Sequence, residues 1–179
     1  SVYWSKGGKS QDISLEEWDR SLGVTLTSTF LAAKHGVPAI LETAGRGNIV
    51  AISSVHGDRP GSDYAMYAAA KGGLNQLVRA LAYDHTPQGI RVNGVSPGAT
   101  GAEEHETDPL GGTGVDSLYL TGHWVTADDI GDAVAFLVSD RARSITGQIL
   151  TVDGGCSIPE HNWLMATNER RWKEKSGME

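Results

Sequence analysis

One cysteine, Cys156, in 179 residues rules out an internal disulfide and suits a reducing, cytoplasmic setting. Positive charge is also scarce. Fifteen Lys and Arg stand against 22 Asp and Glu, a net charge of −7, so no basic surface is broad enough to neutralise a nucleic-acid backbone or an anionic membrane. No apolar run reaches the roughly 18 residues of a membrane span; the longest, from Thr25 to Leu41, is broken by Lys34, His35 and Pro38. The six histidines, and the acids near His105, lack metal-ligand spacing such as H-E-x-x-H, so no metal is expected. The opening SVYWSKGGKSQD has neither the basic start nor the apolar stretch of a signal peptide. A first residue of Ser1 rather than Met reads as a cut chain.

Glycine is abundant, 23 residues without a collagen period, which implies many tight turns between short elements. The length suits a single domain, since chains of this size bury roughly 70% of their unfolded surface. After an irregular start over 1–12, Ser14-Leu15-Glu16-Glu17 has capping-box spacing and predicts a helix from Leu15. Leu15, Trp18, Leu22, Leu26, Phe30 and Ala33 mark its apolar face until Gly36 and Pro38 interrupt or kink it. Asn48–Ser54 has the unbroken apolar centre of a strand covered on both faces. Tyr64 to His85 returns to helical periodicity, Ile90–Val95 is a second strand ending in Ser96-Pro97-Gly98, and Thr126 caps a third helix. Gln148–Val152 is the last strand. Residues 99–125 form a long loop with little periodicity, a substrate lid, and 160–179 a charged tail on which Trp163 and Trp172 suggest some docking. The alternation of helix and strand predicts an α/β fold with a parallel sheet.

Tyr67 and Lys71, four residues apart, share a helix face, and a nearby ammonium favours phenolate, which suits a tyrosine for proton transfer. Such a pair alone is commonplace. Ser54, however, ends a buried strand 13 residues earlier, and Pro97-Gly98 ends the next, where ligands of open α/β sheets bind. Gly111-Gly112-Thr113-Gly114 follows no strand and opens no clear helix, so it reads as flexible lid rather than a phosphate cradle. Tyr64 is followed four residues on by Ala68, which cannot tune a proton, and is expected to line the pocket.

The blocks GNIVAISS (47–54), YAAAK (67–71), GIRVNGVSPG (89–98) and DDIGDAVAFLVSDRARSITGQILTVDGG (128–155) resemble the short-chain dehydrogenase/reductase family from about Ile13 to Gly155. The resemblance implies a Rossmann-like parallel sheet flanked by helices, the C-terminal part of a doubly wound fold. It implies hydride transfer between NAD or NADP and a small carbonyl or secondary-alcohol substrate, with the cofactor supplying the redox chemistry. Tyr67 would be the acid/base, and Ser54 would hold the reacting oxygen. Lys71 would lower the Tyr67 pKa and hold the nicotinamide ribose hydroxyls, and Pro97-Gly98 would flank the ring.

Three departures follow from the same resemblance. Thr25 stands where the family usually has an Asn holding a relay water. Ala102 stands where a Thr commonly contacts the nicotinamide amide, a role Thr100 could take. The strand, Gly-rich turn and helix that hold the cofactor pyrophosphate are missing, which would leave Asn48–Ser54 as an exposed apolar edge. The chain therefore reads as an incomplete single domain. It would be a fragment, would be completed by another chain, or would cover the edge in a homodimer or homotetramer, for which the first helix and the Tyr64–His85 helix would supply the interface. The alternatives to a redox enzyme are a non-redox dehydratase, isomerase or cyclase, and a catalytically incomplete subunit.

Overall fold

The computed structural model describes residues 8–59, 61–101, 119–121 and 123–158. The irregular start up to residue 7, most of the lid, including Ala102 and the 111–114 run, and the 160–179 tail lie outside the described residues.

Helix α1 (Leu15–Leu22) opens with the expected capping box: Ser14 accepts from the Glu17 amide and Glu17 reaches back to the Ser14 amide. The helix does not stop at Gly36 or Pro38. It passes through a π-helical turn, Gly23–Thr27, into α2 (Ser28–Ala44), which contains Pro38. Proline removes one hydrogen bond, but Ala33 and Val37 on the same helix are buried, and their packing keeps the helix going. Gly45, at φ +68°, ends it, a conformation that a side chain would strain.

Strands β1 (Gly47–Ile52), β2 (Ile90–Pro97) and β3 (Ile149–Val152) form a parallel sheet in that order, with Gly47 opposite Ile90 and Gly94 opposite Ile149. Helix α3 (Ala65–His85) connects β1 to β2, and α4 (Ala127–Val138), with a second capping box at Thr126, precedes β3. Side chains alternate along a strand. Ile49 and Ala51 join Leu74, Val78, Leu81, Ile90 and Val92 in the core shared with α2 and α3. On the other face Asn48 donates to the Val138 carbonyl at the end of α4, while Arg91 and Asn93 donate to carbonyls of Ser139 and Ile145. Helices thus cover both faces of the sheet.

β1 departs from the sequence expectation of burial on both sides. Only Ala51 in it is buried, and Ile52 is 46% exposed. The reason is position, since β1 is an edge strand among the described residues.

Candidate active site

All three strands end on one side of the sheet, and Ser54, Tyr67, Lys71, Pro97 and Gly98 lie there. Ser53 continues the β1–β2 pairing through its amide to the Val95 carbonyl at 2.7 Å, and its hydroxyl donates to Asn75 of α3. The chain then turns sharply. Ser54 is buried at 6% exposure, and its Oγ accepts from the His56 amide at 3.2 Å, capping a single turn, Val55–Gly57. That turn sits directly on α3. A Cβ on Gly57 would lie 2.7 Å from Asn75 Nδ2 and 3.0 Å from the Lys71 carbonyl oxygen. Glycine is what allows the close approach that brings Ser54 to the first turns of the helix.

Tyr67, in the first turn of α3, lies close enough to Ser54 for the serine side chain to lower the pKa of its phenol. Lys71 follows one turn later, buried at 7% exposure, with Nζ 5.6 Å from the Tyr67 ring centroid and donating to the Ile52 carbonyl at 2.8 Å. The i,i+4 spacing therefore does put phenol and ammonium on one face. The effect on the phenol is opposite to that expected. Burial raises the Tyr67 pKa, outweighing the Ser54 hydrogen bond that lowers it, and burial lowers that of Lys71. Low-dielectric surroundings favour the neutral form of each.

Pro97-Gly98 ends β2 beside this group, the Gly98 amide donating to the Val152 carbonyl at 3.2 Å. A Cβ on Gly98 would meet the Asp153 Cβ at 3.0 Å and Cys156 Sγ at 3.1 Å. Asp153, just past β3, accepts from the amides of Gly155 and Ser157. Burial alone would raise its carboxyl, but those bonds hold it below the usual range. Thr100 donates weakly to the Gly98 carbonyl at 3.4 Å and bridges to Val125. Tyr119 reaches the Ala99 carbonyl at 2.7 Å and packs on Trp124, ring centroids 5.1 Å apart. The two ends of the 99–125 segment are thereby tied together. Thr25 lies in the π-helical turn, half-buried, its carbonyl accepting from Thr29 Oγ1 at 3.0 Å. Its neighbour Leu26 packs where a Cβ on Gly73 of α3 would be, 3.0 Å from Leu26 Cδ2.

Sequence reasoning missed His56. Its ring stacks on Tyr64, 4.7 Å between centroids and 12° between planes, and meets Tyr67 edge-on at 6.1 Å. Tyr64 is the N-cap of α3, its ring centroid 6.2 Å from that of Tyr67. An isolated histidine carries no spacing signal. Only its position two residues after Ser54 could have drawn notice.

Nζ of Lys71 has three protons, and Ile52 takes one; the remaining donors beside Tyr67 fit the vicinal hydroxyls of a nicotinamide ribose. The described residues offer no group of His, Cys, Asp and Glu able to hold a metal and no helix long and apolar enough to cross a membrane.

The family model described as Enoyl-(Acyl carrier protein) reductase matches residues 2–157. The chain is similar to 3beta-hydroxysteroid dehydrogenase 1 of Eggerthella lenta, 36% identical over 148 residues, 81% of this chain and 57% of the relative. It is also similar to 2-(S)-hydroxypropyl-CoM dehydrogenase 3 of Xanthobacter autotrophicus, 38% identical over 155 residues, 83% of this chain and 60% of the relative. Carveol dehydrogenase from Mycobacterium avium, solved in complex with NAD, matches with a TM-score of 0.77 at 32% identity, over 87% of this chain and 62% of that one. The chain spans about three fifths of the length of these curated relatives.

Proposed function

The chain belongs to the short-chain dehydrogenase/reductase family, and on that premise we propose that the protein is a nicotinamide-dependent oxidoreductase acting on a small carbonyl compound or secondary alcohol. The observation that carries this reading is the grouping of Ser54, Tyr67 and Lys71 at the end of β1, with Lys71 Nζ 5.6 Å from the Tyr67 ring centroid and bonded to the Ile52 carbonyl. When bound, NAD(H) or NADP(H) supplies the hydride.

The chain's own part is proton transfer and positioning. In reduction Tyr67 gives its phenolic proton to the carbonyl oxygen, and in oxidation it takes the alcohol proton. Ser54 holds that oxygen in place. Lys71 stabilises the phenolate once it forms and would hold the ribose hydroxyls of a bound cofactor; Pro97 and Gly98 would flank its nicotinamide, Thr100 would offer a hydroxyl to the amide, and Thr25 would take part in proton relay. Among the described residues no glycine-rich turn meets a helix N-terminus to hold the pyrophosphate, so no step is assigned to that end.

The test uses protein expressed from its complete reading frame. Tyr67→Phe is expected to lower NAD(P)H-dependent turnover by at least about a hundredfold, the usual contribution of a positioned acid/base, while NADH and NADPH still bind in an equilibrium titration. Wild-type turnover retained in Tyr67→Phe would sink the assignment. A second reading, a subunit that acts by assembly, is favoured by β1 pairing on one side only among the described residues and predicts turnover only when a partner chain is present.

A further inference from the structure

The ring of His56 is fixed on several sides. Tyr64 stacks on one face. Nδ1 lies 3.1 Å from the Arg59 carbonyl oxygen, which can only accept, so the Nδ1 proton is engaged there. A Cβ on Gly61 would sit 2.9 Å from His56 Cε1 and 3.0 Å from Tyr64 Cδ2, so the chain closes over the Nδ1–Cε1 edge and only glycine permits it. Asp63 then adopts φ +65°, uncommon for a side-chain-bearing residue. It is held there by an ion pair to Lys9 at 3.1 Å and by the Gly8 amide on its carbonyl at 3.0 Å. The turn delivers Tyr64 to the start of α3 with its ring on His56. Among the described residues Nε2 has no hydrogen-bond partner.

A neutral imidazole with its proton on Nδ1 offers Nε2 only as an acceptor. We propose that His56 is a specificity-determining residue whose Nε2 accepts a hydrogen bond from a substrate hydroxyl on the carbon next to the reacting one, so that α-hydroxy ketones and vicinal diols are preferred over simple ketones and alcohols. The donor is placed on the carbon next to the reacting one because the His56 and Tyr67 ring centroids are 6.1 Å apart. The proposal rests on Tyr67 being the acid/base. It adds a discrimination that Tyr67 and Ser54 alone do not make, since both address the reacting oxygen.

The probes are butan-2-one and 3-hydroxybutan-2-one, which differ by one hydroxyl, assayed with protein from the complete reading frame. Wild type is expected to favour the hydroxyketone at least tenfold in kcat/KM. His56→Phe, which keeps a ring to stack on Tyr64, is expected to collapse that ratio towards one, chiefly through KM of the hydroxyketone. A wild-type ratio near one, or a ratio that survives in His56→Phe, overturns the proposal. Binding is read separately by long-range proton–nitrogen NMR of the His56 ring in Tyr67→Phe. The hydroxyketone is expected to shift Nε2 where butan-2-one does not, and equal shifts, or none, overturn the proposal. Turnover retained by Tyr67→Phe would instead count against the acid/base assignment, whatever His56 does.

Discussion

Tyr67 and Lys71 illustrate how burial can reverse what spacing suggests. Both shifts favour neutral side chains, which gives a directional pH dependence. Ketone reduction needs the phenol and is expected to stay level through the ordinary tyrosine range near pH 10, whereas alcohol oxidation needs phenolate and keeps rising beyond it. A pH profile of kcat/KM for oxidation that levels off below about pH 9 would show that the phenol is lowered after all. Cys156 and Tyr119 give a second pH effect. Burial and the Asp153 charge push the thiol up to about 11, and burial, with Cys156 and Asp153, pushes the Tyr119 phenol up to about 12. A raised folded-state pKa contributes stability that is whole below the unfolded value and lost as pH rises through the folded one. The melting temperature is therefore expected to fall from about pH 9 towards 12; in Cys156→Ala the fall begins only near the ordinary tyrosine value of about 10 and is shallower up to about 11. At this scale a helix face and a strand end made the nearness of Ser54, Tyr67 and Lys71 legible, while their roles came only from the family resemblance. His56 and the sign of the Tyr67 shift depend on how distant segments bury one another.

Between elements, the contact that makes the site is the Val55–Gly57 turn resting on α3. Gly57→Ala would bring a methyl within 2.7 Å of Asn75 Nδ2 and 3.0 Å of the Lys71 carbonyl. It is expected to cost about 1–3 kcal/mol as overpacking does and to separate Ser54 from Tyr67, so activity at a temperature where the variant remains folded falls further than the melting shift implies. Thr126→Ala removes the cap of α4 and one half of its reciprocal pair with Asp129; thermal denaturation should register a loss of about 1 kcal/mol. Both capping boxes and all three strands could be read from sequence within a residue or two, since caps and apolar runs are short-range signals. The π-helical turn at Thr25 and the passage of α2 through Pro38 could not. Proline's local rule says stop, and the packing of Ala33 and Val37 overrides it.

For the molecule as a whole, β1 is where two sequence expectations meet: burial on both faces, which the structure does not show, and an unpaired apolar edge, which it does among the described residues. Its sequence is that of an interior strand, yet among the described residues it pairs on one side only. In the 179-residue chain, alternate amides of β1 are expected to exchange hydrogen with solvent much faster than those of β2, which is paired on both sides. Hydrogen exchange resolved by residue checks this, and uniform protection along β1 would mean that its outer edge is covered. At the opposite end of the strands the Thr100–Val125 bridge and the Tyr119 hydroxyl on Ala99 fasten the two ends of the intervening segment beside β2. In polymer terms the described ends are already joined, and the cost of adding chain between joined ends grows only as a logarithm of its length. Residues inserted between Gly101 and Tyr119 are therefore expected to leave the ends of β1 and β2, and with them Ser54 and Gly98, where they are.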